Sequence, residues 1–180
     1  MSDAAEWDGV IMDIPMVIKK DSHKDNRGTF CEMFNAAYWD EKDIRFVTDN
    51  WSWSHENVFR GLHYQTVNPQ GKLVSVASGT ILDICVDVRK GSSWFGESYW
   101  YVLSQSLCAQ LWIPPGFAHG YLAISDAIVI YKATQYRHEE SEVVIMYNDL
   151  WLNLQLPEQI IVSDKDKNGI PLRDAPQIRI

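Results

Sequence analysis

An all-β sandwich or barrel is the fold class that this 180-residue sequence predicts, and three observations carry it. From Phe46 onward the chain breaks into short β-type runs separated by turn signals at roughly ten-residue intervals, the spacing of paired or closed antiparallel sheets. In one run, Thr80 to Val88, Leu82, Ile84, Val86 and Val88 alternate with Ile81, Asp83, Cys85 and Asp87. One face is therefore wholly apolar and packs, while the mixed face lines a cavity or meets solvent. The single early segment of good helix formers, "AAYWDEKD", is short, so helices are a minor component.

The elements follow in order. "GVIMDIPMVIKK" predicts an early strand, Asp21 to Gly28 a polar turn, and Thr29 to Phe34 a second strand, a hairpin-like start. Asn35 is placed to cap the short helix, the longest expected in the core. The strands that follow are read in "RFVTDNWSWS", "VFRGLHYQ", "KLVSVAS", "TILDICVDVRK", "SYWYVLS", "AQLWIPPG", "HGYLAIS" and "AIVIYKATQY". After "YNDLWLNLQLP" a polar, turn-rich tail begins at about residue 157 and is expected to wrap the barrel. There are no repeats and no low-complexity tract, and residues 1–180 are read as one domain.

Composition excludes several classes. With 46% hydrophobic and 22% charged residues the chain reads as globular, and a formal charge of −8 argues against a phosphate-backbone partner, so no nucleic acid is expected. No window approaches the roughly 18 apolar residues of a membrane span, and the first residues lack a basic start with an apolar run. No membrane partner and a cytoplasmic location are expected. Cys31, Cys85 and Cys108 are odd in number and in no CxxC pattern, which suggests buried free thiols rather than a disulfide framework or zinc ribbon.

Metal chemistry on a β-barrel needs clustered histidines, usually two that alternate inward on one strand. His63 is followed by Tyr64 and Gln65, and His23, His55, His119 and His138 stand alone, so no metal is expected. No GxSxG elbow, no Cys beside an evident base and no phosphate-cradling glycine loop is present. Acid–base chemistry remains. His63 can take up and return a proton, Tyr131 can donate a phenolic proton, and Asp166 can orient an imidazole. Singly, each has a commoner structural reading: a satisfied strand histidine, a core tyrosine, a turn aspartate.

Taken together, "VFRGLHYQ", "GKLVSVASG", "ILDICVDVRKGS", "LWIPPGFAHGYL", "YKATQY" and "SDKD" resemble the dTDP-4-dehydrorhamnose 3,5-epimerase family, in the family's order and over about Ile14 to Pro171. The resemblance implies a mainly β, cupin-type antiparallel barrel (jelly roll) with a few short helices, without metal or cofactor. It implies a nucleotide-linked 4-keto-6-deoxyhexose substrate and a homodimer whose N-terminal strands are shared between subunits. By the same resemblance His63 is the base, Asp166 its supporting carboxylate, Tyr131 the acid on the opposite sugar face and Lys72 the partner of the enolate oxygen. Arg27, Glu32, Asn50, Arg60, His119, Glu142 and Lys165 fall on substrate-contact positions.

Departures gather where the nucleotide would sit. Thr48 stands in place of a common Gln, His23 in place of an aromatic, and Arg137 in place of the second aromatic of a "YY" pair. Arg137 can stack through its guanidinium or reach a phosphate. Thymidine is the nucleotide expected. A relative inverting only C5 or C3, or shifting the ketone, and a non-catalytic sugar-nucleotide binder are the alternatives. Strict alternation sends Arg60 and His63 to opposite faces of a strand, unless Gly61 introduces a bend or bulge, or Arg60 lies at a strand end.

Overall fold

Two antiparallel sheets face each other across an apolar interior in this computed structural model, which describes residues 13–152, 154 and 156–180. The early part holds β1 (Met16–Lys19), β2 (Ser22–Asp25), β3 (Gly28–Cys31), helix α1 (Ala36–Asp40) and β4 (Thr48–Ser54). The middle holds β5 (Val58–Gln65), β6 (Lys72–Ser78), β7 (Thr80–Asp87), β8 (Ser98–Ser104) and β9 (Ala109–Ile113). The last part holds β10 (Phe117–Ala123), β11 (Ala127–Ala133), β12 (Glu142–Val144), β13 (Ile161–Val162) and helix α2 (Asp164–Lys167). A five-stranded sheet runs β1-β9-β6-β11-β4, and a six-stranded one runs β12-β5-β10-β7-β8 with β13 added parallel to β5. The fold is thus the mainly β, cupin-type barrel predicted.

Because successive side chains point to opposite faces, each sheet buries two rows. Between the sheets lie Val74, Leu111, Ile113 and Val129 from one and Ile81, Cys85, Leu103 and Phe117 from the other. Outside the six-stranded sheet, Phe59, Leu62, Ile84, Val86 and Val88 are covered by Leu152, Val162, Leu172, Ala175 and Ile178 of the C-terminal part. Outside the five-stranded sheet, α1 drops Trp39 onto Ile18, Leu73 and Trp112, the two indoles 5.3 Å apart. Each of these fully buried large side chains contributes ~1.5–3 kcal/mol. Asn35 caps α1 by accepting from Ala37 N at 3.1 Å.

Four sequence expectations need correction. Met16–Lys19 does not pair with the following strand but with β9, and the part of the early strand expected before Asp13 lies outside the described residues. The stretch read as a polar turn contains β2, which forms the hairpin with β3 around Asn26 and Arg27. Arg27 closes that turn by donating from its backbone N–H (2.8 Å) and guanidinium (2.6 Å) to the Asp25 carboxylate, local bonds that hydrophobic patterning does not reveal. The mixed face of β7 meets neither solvent nor an open cavity: Asp83 and Asp87 are both fully buried. Of the cysteines only Cys85 is buried; Cys31 and Cys108 are partly exposed.

Among the described residues no helix is long and apolar enough to cross a membrane.

Candidate active site

The "FRGLHYQ" stretch is strand β5, and its register is broken at Gly61. Arg60 pairs with Tyr121 and His63 with His119, so Gly61 and Leu62 stand opposite Gly120 alone. That extra residue is a β-bulge, and it turns Arg60 and His63 toward the same side. Glycine is required on both strands. Gly61 has φ +128, where a Cβ would lie 2.5 Å from Gly120 Cα, and a Cβ on Gly120 would lie 2.5 Å from Arg60 O. Phe59, Leu62 and Tyr64 stay in the outer core.

Arg60 and His63 therefore line one cavity of about 680 Å³. From the six-stranded sheet come His63, Arg60, His119 and Glu142, with Lys165 and Asp166 on α2; from the five-stranded sheet come Asn50, Lys72 and Tyr131, with Arg137 just beyond β11. Thr48 lines a smaller adjoining space of about 110 Å³ with Asn50, Lys72 and Tyr131. All four predicted catalytic residues, and seven of the nine predicted substrate-contact residues, are brought together in this way. Arg27 and Glu32 are not. Arg27 is spent on Asp25 at the hairpin tip, and Glu32 accepts from Asn35 Nδ2 at 2.9 Å.

Two histidine–carboxylate pairs meet here. His63 Nε2 donates to Asp166 Oδ1 at 2.6 Å, since an ionised carboxylate can only accept, and this leaves Nδ1 as the free basic nitrogen. Asp166 Oδ2 accepts from Gly61 N at 3.2 Å, so one carboxylate orients the ring and ties down the bulge. Burial pushes the Asp166 carboxyl up, but the His63 ring and the Gly61 and Ser163 hydrogen bonds outweigh it and hold it below the usual range. On β10, His119 Nε2 lies 2.9 Å from the buried Asp83 Oδ2. Burial depresses the His119 pKa in spite of that carboxylate, so the ring enters the cavity neutral.

Lys72 is buried, which lowers its pKa; Cys85, Asp83 and Glu142 oppose that shift and favour the cation. Burial first, then Tyr121, raises the Tyr131 pKa, which keeps the phenol protonated at neutral pH. Arg60 is held by Ser54 Oγ (2.9 Å) and Trp53 O (3.1 Å). Glu142 accepts from Arg137 at 2.8 Å and Lys165 at 2.9 Å, and its Oε1 faces His63 Nδ1 at 4.0 Å. Those cations overcome the burial that would raise it and hold Glu142 below its ordinary value.

Sequence reasoning missed Asp83 as the partner of His119. Its signal was present: a carboxylate flanked by Ile81 and Cys85 on one strand face must find a donor when buried. The residue that supplies it is 36 positions away, so pairing could not be read from spacing.

A barrel of two facing sheets with acid–base side chains from both lining its cavity defines this chain as a cupin-type protein. The family model for dTDP-4-dehydrorhamnose 3,5-epimerase matches residues 11–174. The chain is 42% identical over 172 residues to the dTDP-4-dehydrorhamnose 3,5-epimerase of Methanothermobacter thermautotrophicus, covering 92% of this chain and 93% of that one. It is 44% identical to the Salmonella typhimurium enzyme of the same name, covering 83% and 85%. Among solved structures, the Legionella pneumophila dTDP-6-deoxy-D-glucose-3,5-epimerase in complex with dTDP-4-keto-L-rhamnose superposes with a TM-score of 0.87, at 41% identity over 92% and 93% of the chains. The chain belongs to the dTDP-4-dehydrorhamnose 3,5-epimerase family.

Proposed function

We propose that this protein is an isomerase that inverts C3 and C5 of dTDP-4-dehydro-6-deoxy-D-glucose, giving dTDP-4-dehydro-L-rhamnose. One observation carries the reading: the His63–Asp166 pair stands on the six-stranded side of the cavity and Tyr131 on the five-stranded side. Inversion requires a proton taken from one face of the sugar and another returned to the opposite face, and groups on facing sheets supply that.

A C4 ketone acidifies the hydrogens on C3 and C5 but leaves them too weakly acidic to ionise unaided. His63 Nδ1 takes the proton, and Asp166 stabilises the imidazolium that forms. Charge moves onto the C4 oxygen as an enolate, which the buried Lys72 faces. Tyr131, kept protonated, delivers the replacement proton. Arg60, Arg137 and Lys165 offer cations for the diphosphate, with Arg60 able to bind two oxygens at once. Thr48, Asn50 and Glu142 complete the contacts with the nucleotide and sugar. A nucleotide-activated sugar is made where nucleoside triphosphates are, which assigns the cytoplasm.

Arg27 and Glu32 reach a cavity only if a second copy presents them. Among the described residues the β2–β3 hairpin pairs with no other strand, and all of it but Cys31 is exposed, Phe30 being 68% exposed. On the outer face of the edge strand β4, Trp51 and Trp53 are 64% and 49% exposed. A homodimer that exchanges hairpins covers such surfaces and completes both sites.

The test is proton NMR of the 4-keto sugar nucleotide with the protein in deuterated water, reading C3 and C5 separately. Deuterium entry and inversion at both carbons is the expected result. Exchange at one carbon alone would make this a single-centre epimerase, and no exchange with tight binding would make it a binding protein.

A further inference from the structure

Cys31 and Cys108 lie in different parts of the fold, one ending the β2–β3 hairpin and the other just before β9. A short path joins them. Lys19 pairs with Ala109, and Lys20 N donates to Cys108 O at 2.9 Å, so the end of β1 runs beside Cys108. Two residues later Ser22 pairs with Cys31 across the hairpin. The Lys20–Ser22 link thus has a cysteine on each side, which brings the two thiols to the same part of the fold. Met33 Sδ adds a third sulfur, 3.6 Å from Cys31 Sγ. Both cysteines are partly open to solvent, whereas Cys85 is sealed between the sheets, its thiol donating to Asp83.

We propose that Cys31 and Cys108 are an oxidisable dithiol that closes into an intrachain disulfide in the presence of a hydroperoxide, fastening the base of the β2–β3 hairpin to the barrel. This is a modification site outside the cavity, and it does not rest on the epimerase reading. Both cysteines are free thiols in the structure, and because burial, then Cys108, pushes the Cys31 thiol up, Cys31 attacks only through its small deprotonated fraction. In the first step one thiolate attacks the O–O bond, forming a sulfenic acid and releasing an alcohol, or water from hydrogen peroxide. In the second step the other thiol displaces the sulfenic oxygen as water and the S–S bond forms. Two thiols lose two electrons and the peroxide gains them. Closure matters because, among the described residues, the hairpin strands pair only with each other, so apart from its chain ends this bond would be the hairpin's covalent attachment to the barrel.

The experiment is thiol counting with peptide mapping on the full chain. Reduced protein, unfolded and alkylated, should carry label on all three cysteines. After hydrogen peroxide it should carry label on Cys85 alone, run as a single chain without reductant, and yield one linked peptide pair containing Cys31 and Cys108. Cys85→Ala should retain the link, and Cys31→Ser or Cys108→Ser should abolish it. Unchanged labelling of all three, oxidation of either cysteine to sulfinic acid without a link, or a link between two chains would each overturn the proposal.

Discussion

His63 Nε2 and Asp166 Oδ1 are 2.6 Å apart although 103 positions separate them in the chain. Asp166 is held for this contact by Ser163, which caps α2 and accepts from Asp166 N at 3.1 Å. Losing the base removes abstraction at both carbons, so His63→Ala should slow solvent exchange at C3 and C5 by ~10²–10⁴-fold, the usual worth of a positioned general base. Asp166→Asn, which keeps the shape but loses the charge, should slow it less. Nucleotide affinity, measured by calorimetry, should stay near the wild-type value for His63→Ala. Wild-type exchange in His63→Ala would remove this residue from the mechanism.

Acid should weaken the same contact. The Asp166 carboxyl is held below its ordinary 3.8 in the folded protein, so its contribution to stability is fully present above 3.8 and is lost as pH falls through the lower folded value. Glu142, held below 4.5 by Lys165 and Arg137, contributes in the same sense. Denaturant unfolding of wild type and Asp166→Asn at a series of pH values should show a stability gap at pH 5 that closes toward pH 2. A gap independent of pH would mean that the folded state does not favour the carboxylate.

The bulge predicts a site where one methyl group is costly. At Gly61 a Cβ meets backbone of β10, which cannot swing aside as a flexible side chain would, and φ is positive as well. Gly61→Ala should therefore lower stability by ~1–3 kcal/mol or more, read as a shift in urea midpoint. It should also reduce exchange activity, because the register that aims Arg60 and His63 together depends on this position. An unchanged midpoint would show that the bulge tolerates a side chain.

Strand boundaries were the legible part of this chain. The predicted runs at Val58–Gln65, Lys72–Ser78 and Ser98–Ser104 coincide with β5, β6 and β8, because turn residues bracket each and alternation fills the interior. Pairing was not legible. Nothing local tells Met16–Lys19 to join β9, some ninety residues on, rather than its neighbour, since any alternating strand offers the same backbone groups. The gathering of His63, Lys72, Tyr131 and Asp166 in one cavity was anticipated through family resemblance, not spacing. Asp83 with His119 and Cys31 with Cys108 show the limit: bringing distant residues together needs the register of several strands at once.

If hairpins are exchanged, each site draws on two chains, and complementation follows. Arg27→Ala and His63→Ala should each be impaired alone. Mixed dimers would place an intact Arg27 from one chain against an intact His63 from the other, giving one working site per mixed dimer. Co-refolding the two variants should therefore restore part of the activity, and sedimentation should give a dimer. No recovery from a confirmed mixed dimer would place Arg27 outside the partner's cavity.

Tyr131 has the most discriminating test, because its proposed step begins after the proton has left. Its ring sits on β11 between Asn50 of β4 and Val74 of β6, and Tyr131→Phe keeps that ring while removing only the hydroxyl. Packing should be nearly unaffected, so loss of structure does not cloud the result. With His63 intact, proton removal at C5 continues and the same imidazolium can return a deuteron to the original face. In deuterated water the variant should therefore incorporate label at C5 mainly with retention, and inverted product should become scarce. A tyrosine that only packs predicts no change in the ratio of exchange to inversion. Inversion at the wild-type rate, or equal slowing of both processes, would show that another group or water supplies the second proton.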